Sequence, residues 1–175
     1  METSVMVVKR QERDRVQDHV DIMMIRALLD SLFTIFRTMV NVQITAGTPV
    51  PKSDRRARGD VSGVMTMQAE RARGSVALSF PLPAIRELSQ NLLGAEIDSA
   101  GPEAQDLVGE LTNMLVGGAK RISAEHGYDF DMQIPTLCSE RGHEIRHLDA
   151  GQTVLLPIRM KACEFYMELN FRGTY

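Results

Sequence analysis

Between Asp106 and Gly127 the apolar residues recur with a period that a long one-sided helix satisfies and a strand does not. At about 100° per residue, Leu107, Val108, Leu111, Met114, Leu115, Ala119 and Ile122 fall in one arc. A helix with one apolar face must bury it against another layer, so this segment alone demands a multi-layered fold. Pro102 suits its first turn, Glu103 and Asp106 favour the positive helix N-terminus, and Gly127 ends it.

The other layer is legible in alternating runs. Val42, Ile44 and Ala46 alternate until Gly47–Thr48–Pro49 stops them. Val61 to Ala69 alternates, as does Val76 to Phe80, with Arg71–Gly74 between them as the expected hairpin turn. Met132–Cys138, Val154–Met160 and Cys163–Phe171 complete the set. Pro157 hints at an edge or bulge, and the clean alternation of the last run predicts a half-buried strand. Two further helices are expected. One runs from about Asp18 to Val40, with an apolar band wider than one core face needs. The other opens at Pro81 and Pro83, and Gly94 caps its end.

The predicted fold class is α/β (α+β), a mainly antiparallel sheet of about six strands packed against long helices. The chain has 175 residues, which suits one domain over residues 18–175. Residues 1–17 form a charged N-terminal extension, either a frayed helical segment or a disordered arm. No repeat with a period of 20–50 residues is evident.

Composition removes several function classes. A net charge of −3 gives no broad electrostatic case for nucleic acid or a membrane surface. The few aromatics, all Phe or Tyr, make a poor single-strand stacking platform. No basic-then-apolar leader or membrane-length apolar run is visible, so a cytoplasmic protein is expected. Its two cysteines, Cys138 and Cys163, then read as reduced core residues on strands.

The chemistry is expected on the other side of the long helix. Asp106, Glu110, Asn113 and Gly117 are spaced three and four residues apart and stack on one outward stripe. Gly117 and Gly118 each cost about 1 kcal/mol relative to alanine inside a helix. That cost points to close approach of another backbone, from a partner protein or from a packed neighbour. The bland alternative is a solvated helix face.

The segment VGELTNMLVGGAK resembles the signature helix of the CheX, CheC and FliY phosphatases of bacterial chemotaxis, whose core pattern is Glu-x-x-Asn. The stretch DVSGVMTM and RGSVALSFPLPAIRELSQNLLG resembles the strand–strand–helix that precedes it in CheX. The likeness covers about residues 20–172. It implies a phosphatase of two-component signalling that removes the aspartyl phosphate of a CheY-like receiver. Asn113 would orient the attacking water and Glu110 would pair with a receiver lysine. Asp106 and Gly117 would belong to the docking face. The receiver would supply its own Mg²⁺, leaving this chain with no cofactor or metal of its own. CheC-like members carry two such motifs and CheX-like members one. Asp30–Ser31–Leu32–Phe33 offers no matching Asn, and Glu87 and Asn91 are wrongly spaced, a solvated pair. A single motif favours CheX and, by that resemblance, a homodimer. The alternative is a non-catalytic receiver-binding or assembly module in chemotaxis signalling.

Two further features compete. His143–Glu144–Ile145–Arg146–His147 matches the H-E-x-x-H zinc-protease motif. Gly142 and Gly151 leave it little helix, and Ala150 and Thr153 stand where an extended motif needs Gly and His, so a surface turn between strands is the expectation. Lys52, Arg55, Arg56 and Arg58 form a basic loop, expected to be a solvated connection.

Overall fold

The computed structural model describes residues 22–69, 72–148 and 151–173. The charged extension and the start of the first predicted helix therefore lie outside the described residues. Helix α1 spans residues 22–35 and runs into a π-turn at Phe36–Val40, closed by Asn41 at φ 55°. Strands β1 (Ile44–Ala46), β2 (Val50–Lys52), β3 (Val61–Gln68) and β4 (Ala72–Phe80) follow. Then come α2 (Leu82–Leu93) and α3 (Pro102–Glu125). Strands β5 (Asp131–Met132), β6 (Thr136–Cys138), β7 (Thr153–Met160) and β8 (Cys163–Gly173) complete the chain.

All strand pairs are antiparallel, in the order β1-β7-β8-β4-β3-β5, with β2 also on β7 and β6 also on β3. The sheet has eight strands. The two beyond the sequence expectation arise at its edges, where the Met132–Cys138 run breaks into β5 and β6, and where Val50–Lys52 pairs as β2. Pro157 explains the second break. Its carbonyl accepts from Gly47 N–H at 2.8 Å in the gap between β1 and β2, so β7 is locally an edge there and needs no donor from the proline.

The three helices among the described residues cover one face of the sheet. Leu28, Leu32, Leu88, Val108 and Leu115 pack there onto Met65, Leu78, Ile158 and Met167. Phe165 lies between Phe36 and Phe80, with ring centroids 5.1 and 4.6 Å away, and ties the end of α1 to the sheet centre. Two strand glycines admit close neighbours. A Cβ at Gly63 would stand 2.3 Å from Thr112 Oγ1, so Gly63 lets α3 sit down on β3. A Cβ at Gly74 would stand 2.2 Å from the Phe171 ring. Gly74 is thus a packing residue within β4, opposite Met67, and not part of the turn.

The opposite face is also covered, contrary to the half-buried last strand expected from its alternation. Residues 52–60 and 139–148 cross it. Ile145 is buried with Ala57, Val64 and Ala77 beneath this cover, and Glu168 and Asn170 of β8 are as buried as its apolar residues. Lys52 is the correction within the basic loop. Its side chain is 1% exposed and its ammonium lies 3.0 Å from the Glu168 carboxylate.

Candidate functional site

Helix α3 is 24 residues long and straddles the sheet. Its buried side is broader than the predicted arc, because Gly109, Thr112, Val116 and Ser123 are buried as well. Three close contacts hold it from different directions. Gly63 meets Thr112 from the sheet, and Leu137 of β6 comes within 3.3 Å of the Cβ position of Gly109. Ser31 of α1 donates to the Leu115 carbonyl at 2.9 Å, and a Cβ at Gly118 would strike its Oγ at 2.2 Å.

What remains outward is the predicted stripe. Asp106, Glu110 and Asn113 are exposed, and Gly117 is half-buried. The two adjacent glycines separate by role. Gly118 serves internal packing against α1, whereas nothing lies within 4 Å of the Cβ position of Gly117. Glu110 and Asn113 stand one turn apart, and among the described residues neither makes a side-chain hydrogen bond or ion pair. The N-terminal half of the stripe is acidic, with Glu103, Asp106 and Glu110 at consecutive turns. An amide on such a helix has one donor and one acceptor group free for a ligand.

The family of the chain follows from comparison with known proteins. The model of the family described as "Chemotaxis phosphatase CheX" matches residues 61–159, which include all of α3. The chain belongs to the CheX family. A CheC-like superfamily protein from Shewanella sp. PV-4 has a TM-score of 0.80 at 38% identity, covering 87% of this chain and 99% of that one. The chemotaxis protein CheX from Vibrio vulnificus scores 0.77 at 38% identity, covering 85% and 99%. CheX of Borrelia burgdorferi, solved in a complex with CheY, BeF₃ and Mg²⁺, shares the fold at a TM-score of 0.66 and 20% identity, covering 86% and 97%. No curated protein matches the chain in sequence.

Elsewhere in this CheX-family chain, the other candidate residues are committed to the fold. The H-E-x-x-H stretch is extended, and Glu144 forms an isolated bridge with Arg56. His143 bonds Ser62 Oγ at 2.8 Å and the Glu140 carbonyl at 2.7 Å. His147 bonds Ser75 Oγ at 2.8 Å and Glu168 at 3.2 Å. This spacing pins a strap across the sheet, with Ile145 buried between the two histidines, and so it is not the surface turn expected. Among the described residues no group of three or more His, Cys, Asp or Glu side chains is placed to hold a metal ion.

Glu87 and Asn91 are not simply solvated. Asn91 donates to Glu87 at 2.6 Å, and Lys161 of the β7–β8 turn binds the same carboxylate. The Lys161 hydrogen bond, then that of Asn91, holds the Glu87 carboxyl below the usual range. Cys138 and Cys163 are half-buried strand residues with free thiols. Burial, then the charge of Glu140, pushes the Cys138 thiol up, which makes it a poor nucleophile. The buried Lys52–Glu168–His147 network escaped sequence reasoning. Its one visible signal was Glu168 amid an alternating strand, at a phase that also suits solvent. No helix of the described residues is long and apolar enough to cross a membrane.

Proposed function

We propose that this chain hydrolyses the aspartyl phosphate of a CheY-like receiver, docking through the outer stripe of α3. The observation that carries this reading is the exposure of Glu110 and Asn113, unpartnered among the described residues, on a helix pinned from three sides. Membership of a family described as chemotaxis phosphatases supports it, as does the complex of Borrelia burgdorferi CheX with CheY.

In this reading Asn113 enters the receiver's phosphorylation site. Its carboxamide accepts from the attacking water and donates toward a phosphoryl oxygen, and being neutral it is not repelled by the phosphoryl group. The water oxygen forms a bond to phosphorus in line with the aspartyl oxygen. The P–O bond to the aspartyl group breaks, the receiver regains its carboxylate, and the water's proton leaves with inorganic phosphate or to solvent. Such a loose transition state needs placement and charge compensation more than a covalent intermediate. The receiver's own Mg²⁺ supplies compensation on its side. Glu110 pairs with a receiver lysine and fixes the pose, with Asp106 extending the acidic row. Gly117 leaves the stripe flat enough for a neighbouring backbone.

The fixed geometry of α3 is the enzyme's contribution, since ordering the amide and its water before encounter removes that entropy from the barrier. We also read residues 18–175 as one domain, and the exposed Ile22 and Phe33 of α1 support a homodimer.

The test is phosphate release from a phosphorylated CheY-like receiver at saturating Mg²⁺. The expected result is release well above receiver autohydrolysis with the wild type, and at the autohydrolysis rate with Asn113→Ala. Equal release by both proteins would remove Asn113 from the role. Binding without acceleration by the wild type would replace the enzyme reading with that of a receiver-binding module.

A further inference from the structure

Among the described residues, the most exposed large apolar side chain is Ile134, at 90%. It lies in the break between β5 and β6, where Gln133 N–H still donates to the Thr66 carbonyl of β3 at 3.3 Å and Ile134 and Pro135 then interrupt the pairing before Thr136. No core contact accounts for it, and its exposure opposes the usual preference of isoleucine.

Its position follows from contacts between α3 and the strand edge. Gln105 bonds Ser139 at 2.8 Å, Gly109 lies against Leu137, and Lys120 binds the Phe130 carbonyl and pairs with Asp129 at 3.3 Å. Residues 130–139 thus run antiparallel along one flank of α3. Reading along this ladder puts Ile134 level with Asn113 and Met114. Packed elements of secondary structure lie on the order of 10 Å apart, axis to axis. A typical protein–protein interface covers about 800 Å² on each partner, so a protein seated on Asn113 would extend over Ile134.

We propose that Ile134 is an apolar anchor for the receiver. It would insert into an apolar depression on the receiver beside the phosphorylation site, and it rests on the reading of α3 as the docking face. The footprint would then be polarised. Glu103, Asp106 and Glu110 offer charge at one end, Ile134 offers burial at the flank, and Asn113 lies between them. Such an arrangement fixes rotation about the contact, which a single helical stripe leaves loose. Edge-to-edge pairing with a second copy explains Ile134 less well. Strands β5 and β6 have two and three residues, separated by a break that contains a proline, and so form a poor template for strand addition.

The experiment measures phosphate release against concentration of phosphorylated receiver for the wild type, Ile134→Ser, Ile134→Leu and Asn113→Ala, with sedimentation of each protein. For Ile134→Ser the expected result is KM raised about tenfold at nearly unchanged kcat, as for loss of a buried aliphatic contact. Ile134→Leu should restore KM, whereas Asn113→Ala should lose kcat. An unchanged KM for Ile134→Ser overturns the anchor while leaving the phosphatase reading intact. A wild-type dimer that Ile134→Ser converts to monomer assigns the residue to a contact between copies and also overturns it. A wild type that neither binds nor dephosphorylates any receiver removes the docking reading itself, and the anchor with it.

Discussion

Residues 22–80 and 102–173 build the same arrangement twice. Each half runs helix, two short edge strands, then a long antiparallel pair. Strands β4 and β8 meet at the centre, β7 collects β1 and β2, and β3 collects β5 and β6. The halves differ in what they show to solvent. Between residues 22 and 40 there is neither Glu nor Asn, so α1 holds no second Glu-x-x-Asn in any register. Its exposed residues include Ile22 and Phe33, where α3 exposes Asp106, Glu110 and Asn113. The inward faces of the two helices must satisfy the same packing, but their outward faces are free to diverge. Repeated architecture therefore does not imply repeated chemistry. The edges differ too, because β2 delivers a buried lysine to the sheet's far face whereas the matching edge strand ends in the half-buried Cys138.

The sharpest break of this comparison is Lys52→Met. It removes the ammonium that faces Glu168, which is 0% exposed and keeps only the His147 contact at 3.2 Å, and should cost about 3–5 kcal/mol in denaturant unfolding. Replacing Lys52 and Glu168 together by methionine should recover most of that loss, because no charge is then left buried. A full cost in the double variant would show that packing, and not the pair, is what Lys52 provides. Next in size is Asn113→Ala, expected to lower phosphate release at least about 100-fold without changing the unfolding midpoint. That outcome confines the chemistry to one half of the molecule.

The neighbouring glycines offer a finer test of which faces are internal. Gly118→Leu should destabilise by about 1–3 kcal/mol, because its side chain would enter the space of Ser31. Gly117→Ala should instead stabilise by about 1 kcal/mol, since its Cβ meets nothing, while weakening receiver binding. Binding unaffected by Gly117→Ala would count against close backbone approach at that point. The smallest effect concerns the Glu87–Lys161 pair. Because the folded carboxyl is held below its ordinary range, its contribution is present above the unfolded pKa and is lost as pH falls through the folded one. Glu87→Gln should cost about 0.5 kcal/mol or less at neutral pH, and the difference should vanish in acid. A pH-independent difference would show that Lys161 does not act through charge.

Much of this was legible beforehand. Helix α3 with its stop at Gly127 (φ 83°), helix α2 with Gly94 at φ 69°, and the long strands lie where periodicity placed them. The outward stripe of α3 is also as expected. The errors fall where a distant segment decides. Gly74 reads as a turn residue until Phe171 arrives across the sheet, and the run from Met132 to Cys138 reads as one strand until its partner β3 is seen to hold only its two ends.

The sequence by itself determined the elements and the pairing of Glu110 with Asn113 on one face. The geometry of a helix or strand is periodic within the element, so a few neighbouring residues declare which side is apolar. Tertiary structure alone decided that Gly118 faces Ser31 while Gly117 faces open space, that a histidine-pinned strap covers the far side of the sheet, and that Lys52 is buried. Burial is a property of which remote segment comes to rest on a side chain. Lys52 and Glu168 are 116 residues apart, and no local pattern records their meeting.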